Sequence, residues 1–260
     1  MEPADEKHRL AVKQRLLTVH SDEFIVVVSK PPGLLSIPDR YDPTLPCAHL
    51  LLSREFEDVM VVHRLDRDTS GLMVFARGAE AHRSLSAQFE RGTVRKTYHA
   101  LVSGVPDRDE FAVDLPLVTD ADRAHRTRID DRAGKPSVTR FQAIERFDDF
   151  ALLQAVPETG RTHQIRVHLA AAGYPVVADP LYGNGNPLLL SSFKRSYRHG
   201  RREERPLIAR TALHACVLEL DHPIRKERMR LEQDLYRDMK AAVNQLRRHG
   251  ARNAGSEAVK

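Results

Sequence analysis

The sequence predicts an α+β fold, in which helices flank a mixed, largely antiparallel β-sheet. Short apolar segments rich in β-branched residues follow one another, and in much of the chain only turns separate them. This arrangement is typical of antiparallel strands. Two or three helical patterns lie among the strands. Because strands and helices do not alternate regularly, a sheet built from repeated βαβ units is not expected.

The first part of the chain predicts two buried strands and one helix. Residues 24–30 (FIVVVSK) form a β-branched run that a PPG turn ends, and residues 71–77 (GLMVFAR) have the same character. Residues 79–92 predict an amphipathic helix, because apolar residues recur at intervals of four before a glycine. These positions are Ala81, Leu85, Phe89 and Gly92.

The second part of the chain is mostly strand, with two further helices. Helical spacing at 161–173 places Ile165 and Leu169 on one face, and residues 235–248 have a similar apolar face. Residues 119–135 are rich in Asp and Arg and predict a polar loop. The predicted strands of this part are 94–104, 136–147, 150–160, 212–220 and a short one at 228–233.

Composition favours a cytoplasmic protein with a polyanionic partner. The 260 residues include 41 Lys and Arg against 36 Asp and Glu, which gives a formal charge of +5. The two cysteines, Cys47 and Cys216, form no CxxC pair, so neither a disulfide framework nor a cysteine metal site is expected. No stretch approaches the roughly 20 apolar residues that span a bilayer, and the N-terminus lacks an apolar signal core. We therefore expect no membrane contact.

Common cofactor and metal motifs are missing from the sequence. It contains no GxGxxG after a strand, no GxxxxGK[ST], no HExxH and no GxSxG. His163 and His168 are five residues apart, a spacing that turns their side chains away from each other on a helix. A shared metal ion is therefore not expected. The sequence predicts chemistry without a metal or cofactor, or binding alone.

The segment HRLDRDTSG at 63–71 sets charged residues beside a glycine-terminated turn between two strand patterns. In a structural interpretation, Asp66 and Asp68 cap the turn through their side-chain oxygens, and Arg64 and Arg67 are solvated. In a chemical interpretation, the same residues form an active site. The segment by itself leaves both interpretations open.

Three segments together resemble the pseudouridine synthases of the RluA type. They are HRLDRDTSG (63–71), RKTYHALVSG (95–104) and GRTHQIRVHLAAAGYPVVADPLYG (160–183), in the order and approximate spacing of that family. SKPPGLLSIP (29–38) and LHACVLELDHP (213–223) are also similar, although the family usually has Asn where this chain has Ser29. The resemblance covers about residues 18–248. It implies the pseudouridine synthase fold with a central catalytic cleft, and an RNA uridine isomerase that uses no cofactor.

The resemblance also implies a domain organisation. Residues 1–17 form an N-terminal extension, 18–249 the catalytic domain with a basic insertion loop at about 184–211, and 250–260 a disordered tail. Only some 20 residues precede the similarity, so we expect no S4-type RNA-binding domain, and target recognition must then rest on the catalytic domain. Within the loop, residues 193–210 carry seven Lys and Arg against two Glu. We hypothesise that this segment contacts RNA.

The resemblance assigns three catalytic roles. Asp66 matches the essential carboxylate, which acts as a nucleophile or stabilises charge beside the sugar. Arg166 matches the basic residue that pairs with that aspartate and keeps it ionised. Tyr98 matches the tyrosine whose ring stacks on uracil and whose hydroxyl assists proton transfer at C5.

Further residues are predicted to bind the RNA substrate. Arg64 matches the arginine that enters the space left by the flipped base, and Ile165 matches an apolar residue lining the uracil pocket, although its helical position suits ordinary core equally well. The other predicted RNA-binding residues are His63, Arg67, Arg161, Arg201, Arg202 and Arg205.

Two other functional classes fit these residues less well. A catalytically inactive RNA-binding protein on the same fold would not need Asp66, Tyr98 and Arg166 together. A glycoside or nucleoside hydrolase would need a second carboxylate at a defined distance, and none is evident near these segments. We expect a monomer that modifies a uridine in ribosomal or transfer RNA, in a loop or bulge where bases unstack easily. The sequence leaves open whether Asp66 attacks the sugar, attacks the base or assists elimination.

Overall fold

The computed structural model describes residues 16–122, 126–198 and 203–250. Within these residues the chain forms two compact units. The first runs to Thr97 and includes His214–Asp234, and the second comprises Tyr98–Leu213 and the described residues from Leu235 onward. The sequence shows no change of composition at these junctions. No helix in the described ranges is both long and apolar enough to cross a bilayer.

The first unit is a mixed sheet with two helices. Its elements are β1 (Leu17–Ser21), β2 (Ile25–Lys30), α1 (Ala48–Leu52), β3 (Val59–Val61), β4 (Ser70–Arg77), α2 (Ala79–Glu90), β11 (Leu213–Asp221) and β12 (Arg228–Glu232). The strands lie in the order β1–β2–β4–β11, β3 also pairs with β4, and β12 also pairs with β11. The β4–β11 pair is parallel, and the other pairs are antiparallel.

The core of the first unit forms where the sequence predicted it. Every residue of β2 is buried, and β4 is buried from Ser70 to Ala76, so these strands are continuous apolar runs and do not alternate. Ala81 and Leu85 bury one face of α2 in the same cluster, and Gly92 has the positive φ of a helix stop. The two strands and the helix predicted for this part are confirmed.

Gly71 fixes the start of β4 against β11. Its φ is 116°, and Ala215 lies opposite it in the parallel pair. A Cβ at this position would lie 2.2 Å from the Ala215 carbonyl oxygen. Glycine is therefore required both by backbone conformation and by the close approach of the neighbouring strand.

The second unit contains an antiparallel sheet and two helices. Its elements are β5 (Arg95–Ser103), β6 (Glu110–Asp114), β7 (Leu117–Val118), β8 (Arg128–Ile129), β9 (Val138–Arg146), β10 (Phe150–Pro157), α3 (Gln164–Ala171) and α4 (Arg237–His249). The sheet has the strand order β5–β10–β9–β6. Strands β7 and β8 form a separate pair, and a 3₁₀ turn covers Leu190–Ser192.

Both helices of the second unit pack on its core. Helix α4 buries an apolar stripe, and α3 contributes Ile165 and Leu169 to the same cluster. The prediction of α4 is confirmed. Helix α3 begins later than the predicted position 161, because His163 adopts a left-handed conformation with φ 55°. The stripe of α4 consists of Met239, Ala242, Val243 and Leu246.

The basic loop is closed at its base by main-chain pairing. The Leu188 N–H donates to the Ile208 carbonyl at 2.8 Å, and both side chains are buried. Glu204 accepts a hydrogen bond from the Ser191 N–H at 2.9 Å, which links the two described arms of the loop. Arg205 is exposed. The predicted residues Arg201 and Arg202 lie outside the described residues.

We predict that Gly71→Ala lowers the free energy of unfolding by at least ~2 kcal/mol, because the added methyl group overlaps the Ala215 backbone. Gly173→Ala is the matched control. Gly173 also has a positive φ, but no atom lies within 4 Å of its Cβ position, so a cost of about 1 kcal/mol is expected. Urea denaturation followed by circular dichroism measures both. Equal losses would contradict the steric argument.

Candidate active site

The turn that carries Asp66 is held on both sides by the backbone of the first unit. Before it, the Ser36 hydroxyl donates to the Leu65 carbonyl at 2.7 Å and accepts from the Leu65 N–H at 3.0 Å. After it, the Arg67 carbonyl accepts from the Gly33 N–H at 2.9 Å. The Thr69 N–H donates to the carbonyl of Asp66 itself at 3.2 Å. Asp66 is partly buried, and its backbone has little freedom.

A buried ammonium group completes this turn. Lys30, at the end of β2, is fully buried. Its Nζ donates to the carbonyls of Leu34 at 2.7 Å, Arg67 at 2.9 Å and Pro31 at 3.0 Å. The three N–H groups of the ammonium thus reach two segments that are distant in sequence. A buried charge must be compensated by such contacts, so the PPGL segment and the Asp66 turn are fixed relative to each other.

His63 packs beside the turn and bonds to the backbone of β4. Its Nε2 accepts a hydrogen bond from the Val74 N–H at 3.0 Å, and its ring stacks on Phe89 with centroids 4.6 Å apart. Burial, and then the nearby charge of Lys96, lower the pKa of His63 to about 3. The ring is therefore neutral at neutral pH. The neighbouring Arg64 and Arg67 are exposed.

Polar side chains also occur where β4 and β11 begin, directly after the turn. Ser70 and His214 are both fully buried, and their Oγ and Nδ1 atoms lie 3.0 Å apart. They sit beside the Gly71 and Ala215 contact, where β4 and β11 begin to pair. The glycine at the end of the HRLDRDTSG segment, Gly71, thus allows the close pairing of β4 with β11, while the preceding residues form the turn.

In the second unit, two side chains fix the rotation of α3. Gln164 accepts from the Arg161 N–H at 3.0 Å and donates to the Thr139 hydroxyl at 3.0 Å. His168, one turn later, lies 2.9 Å from that hydroxyl and 3.1 Å from the Leu115 carbonyl. Burial lowers the pKa of His168, so it is a neutral bridge. These contacts hold one face of α3 on the sheet.

Arg166 forms a buried, bidentate ion pair with Asp179. Its Nε lies 2.6 Å from Oδ2 and its Nη2 lies 2.8 Å from Oδ1. The two side chains are only 6% and 0% exposed. Burial alone would raise the pKa of Asp179, but the hydrogen bonds and charge of Arg166 lower it. The sequence predicted a different carboxylate partner, Asp66. The pairing of Arg166 with Asp66 stays a prediction, whereas the pairing with Asp179 is observed within the second unit.

The ring of Tyr182 contacts the same guanidinium. The Arg166 guanidinium carbon lies 5.1 Å from the centre of the Tyr182 ring. The hydroxyl of Tyr182 accepts from the Thr127 N–H at 2.7 Å and lies 2.9 Å from His163 Nδ1. Burial raises the pKa of Tyr182, so the phenol stays protonated at neutral pH.

The remaining predicted site residues occupy ordinary positions in the second unit. Tyr98 is partly buried on β5, opposite Ala155 of β10. Ile165 is buried in the apolar cluster, as its helical position allowed. Arg161 is partly exposed, and its Nε is buried with no hydrogen-bond partner in the described part of the chain. Such an N–H costs free energy unless a ligand or water satisfies it.

Sequence reasoning missed the residues that support the site. Lys30, Ser36, Asp179 and Tyr182 were not singled out, although all four lie in the similar segments. A signal for Asp179 existed, because a buried arginine requires a carboxylate and the Asp-Pro pair follows α3 closely. No group of three or more His, Cys, Asp or Glu suited to a metal ion occurs among residues 16–122, 126–198 and 203–250. The groups present are suited to proton transfer and charge stabilisation.

Comparison with known proteins identifies a family. A model of the family described as RNA pseudouridylate synthase matches residues 24–171. The RNA pseudouridine synthase YlyB of Bacillus subtilis strain 168 is 37% identical over 250 residues, which cover 93% of this chain and 76% of that protein. The ribosomal large subunit pseudouridine synthase D of Pseudomonas aeruginosa is 37% identical over 246 residues, with coverages of 92% and 74%.

Another relative and two solved structures extend these similarities. The dual-specificity RNA pseudouridine synthase RluA of Escherichia coli K12 is 34% identical over 209 residues, with coverages of 80% and 88%. The structure of human RNA Pseudouridylate Synthase Domain Containing 4 gives a TM-score of 0.70 at 24% identity, over 94% of this chain and 98% of that one. Human RNA Pseudouridylate Synthase Domain Containing 1 gives 0.64 at 26%, with coverages of 92% and 97%. The predicted fold class is confirmed.

We predict that Lys30→Met lowers the free energy of unfolding by at least ~2 kcal/mol, because three backbone carbonyls lose their donor. The Thr69 amide, which closes the Asp66 turn, should also exchange its hydrogen faster. Lys135→Met, which alters an exposed lysine, is the control and should change neither quantity. Urea denaturation and NMR hydrogen exchange test this. An unchanged Thr69 protection factor would show that Lys30 does not hold the turn.

Proposed function

Because this chain belongs to the RNA pseudouridylate synthase family and is an isomerase that acts on RNA, we propose that Asp66 is its essential catalytic carboxylate. The observation that carries the proposal is the restraint of the backbone on both sides of Asp66, by Ser36 before it and by Lys30 and Gly33 after it. A carboxylate on a fixed turn does not have to be ordered when substrate binds.

The proposed reaction converts a uridine to pseudouridine without adding or removing atoms. The bond between N1 and C1′ breaks, the uracil turns, and C5 bonds to C1′. C5 then loses its proton, and N1 gains one. An ionised Asp66 serves this sequence by attacking the sugar, by attacking the base or by assisting elimination. No second carboxylate is needed, because no water attacks the sugar.

Arg166 and Tyr98 complete the proposed catalytic group. We propose that Arg166, whose orientation is fixed by Asp179, pairs with a second carboxylate, Asp66. Tyr98 is proposed to stack on the uracil and to assist the transfer of the C5 proton. Ile165 is proposed to line the uracil pocket, in addition to its place in the core.

RNA binding is proposed to depend on the exposed Arg64 and Arg67 of the Asp66 turn and on the partly exposed Arg161. The target base must leave its stack, because C1′ and C5 are not accessible inside a helix. We propose that the exposed Arg64 occupies the vacated space, while Arg67 and Arg161 contact phosphates. The unsatisfied Nε of Arg161 supports its role, because an RNA oxygen would supply the missing partner. His63 contributes as a neutral group.

The proposed targets are uridines in ribosomal or transfer RNA. One relative is named for the ribosomal large subunit, and another is named dual-specificity. We propose a uridine in a loop or bulge, since unstacking is easiest there. We further propose that the enzyme acts as a monomer, because all the proposed catalytic residues belong to one chain.

We predict that Asp66→Asn abolishes pseudouridine formation, with a loss of at least ~1,000-fold in rate, while RNA binding persists. The parent protein and the Asp66→Asn variant are each incubated with bulk RNA from a strain lacking the gene, and pseudouridine is mapped at single-nucleotide resolution. Asp68→Asn, two residues later in the same turn, is the control and should retain activity. Sites formed equally well by Asp66→Asn would refute its role, and RNA binding by a parent protein that forms no sites would indicate a binding function alone.

For the basic loop, we predict that replacing Arg201, Arg202 and Arg205 by Ala weakens RNA binding. The negative slope of the logarithm of the binding constant against the logarithm of the salt concentration should become shallower by about 2, since each phosphate contact contributes roughly 0.7 to 0.9. A control variant loses three surface arginines that are paired with acids, namely Arg140, Arg228 and Arg230. Filter-binding titrations at several salt concentrations decide between them. If loop and control variants have the same slope as the parent, the loop does not contact RNA.

A further inference from the structure

The environment of Arg166 contains two side chains to which no role in the reaction has been assigned. Asp179 occupies one edge of the guanidinium through Nε and Nη2. Because a guanidinium is planar, two parallel hydrogen bonds to a carboxylate fix its plane as well as its position. The N–H groups of Nη1 and the second N–H of Nη2 then point away from Asp179. The pair therefore selects which edge of Arg166 is presented to other groups.

Asp179 can set this orientation because it is itself fixed. Its Oδ1 also accepts from the N–H groups of Leu181 at 2.9 Å and Tyr182 at 3.2 Å. Its carbonyl accepts from the N–H groups of Gly183 and Gly185, each at 3.1 Å. The chain thus wraps around the carboxylate. The preceding residue, Ala178, has a φ of 56°, an unfavourable conformation for alanine that the surrounding contacts must maintain.

Tyr182 contacts the same guanidinium through the face of its ring. Its ring lies under the guanidinium carbon at 5.1 Å, within the range of a favourable cation–π contact. The ring cannot swing away without breaking the bonds of its hydroxyl to Thr127 and His163. Arg166 is therefore held by a carboxylate at one edge and by an additional contact with an aromatic ring.

From this geometry we propose that Asp179 and Tyr182 are positioning residues, which act on the isomerisation through Arg166. The inference rests on the proposed function of Arg166. A flexible arginine would have to be ordered each time substrate binds, whereas a pre-oriented one stabilises charge without reorganisation. Asp179 also makes burial of Arg166 possible, because a buried guanidinium without a carboxylate is strongly disfavoured.

The primary test is a double-mutant cycle on the single-turnover rate of pseudouridine formation. Asp179→Asn keeps the shape of the side chain but removes its charge and one acceptor for Arg166. We expect its rate to fall by roughly 10- to 100-fold, as for the loss of a hydrogen bond to a charged group, with RNA affinity within about threefold of the parent. In an Arg166→Met background, the same change should have almost no further effect.

A purely structural role gives a different result. If Asp179 only stabilised the surrounding loop, Asp179→Asn would slow the reaction by the same factor with or without Arg166, and that outcome overturns the inference. Asp130→Asn is the control, since Asp130 caps a turn through the N–H groups of Arg132 and Ala133 and should leave the rate unchanged. If Arg166→Met alone keeps the parent rate, the proposed role of Arg166 has failed instead.

Two further measurements keep the inference testable where Asp179→Asn folds poorly or no activity is found. Tyr182→Phe removes only the hydroxyl and should slow the reaction less than Tyr182→Leu, which also removes the aromatic face. In addition, the Nε–H signal of Arg166 can be followed by NMR in arginine-labelled protein and assigned with Arg166→Met. We expect a slowly exchanging signal that is lost in Asp179→Asn. An unchanged Nε–H signal in that variant overturns the inference without any assay of activity.

Discussion

The buried ammonium group of Lys30 is the interaction on which the geometry of the Asp66 turn depends. A charge withdrawn from water is tolerated only where fixed dipoles replace the lost hydration. Here three carbonyls converge on one nitrogen, and they come from the segment after β2 and from Arg67. The requirement to compensate this charge specifies the path of two separate segments at once. The Asp66 turn thus takes its shape from a buried residue at the end of β2.

Arg166 illustrates the same constraint with a different side chain. An ammonium is a compact charge whose three donors can rotate to meet surrounding carbonyls, whereas a guanidinium is planar and its donors point in fixed directions. Lysine is suited to fixing a backbone, and arginine to presenting a defined edge. In the second unit the edge is set by Asp179, whose own oxygens accept from the N–H groups of Leu181 and Tyr182. Each unit therefore orders its polar group through contacts of its own.

Sequence predicted the long elements and the family, but not the contacts that support the site. Continuous apolar runs identified β2 and β4, and helical spacing identified α2 and α4, because burial imposes those patterns. Two-residue strands such as β7 and β8 have no periodicity to detect. The start of α3 was misplaced because a left-handed His163 is set by tertiary contacts. The Asp-Pro pair after α3 was a local signal for Asp179, but the burial of Arg166, which gives that signal its meaning, depends on which segments meet in space.

The pairing of Leu188 with Ile208 separates the basic loop from α3, which precedes it, and from β11, which follows it. Since the entropy of closing a loop grows only with the logarithm of its length, insertions and changes of charge between these two residues place little strain on the core. The length and charge of this loop can therefore vary without disturbing the core of the second unit. The same position offers an engineer a place to insert a foreign segment without redesigning that core.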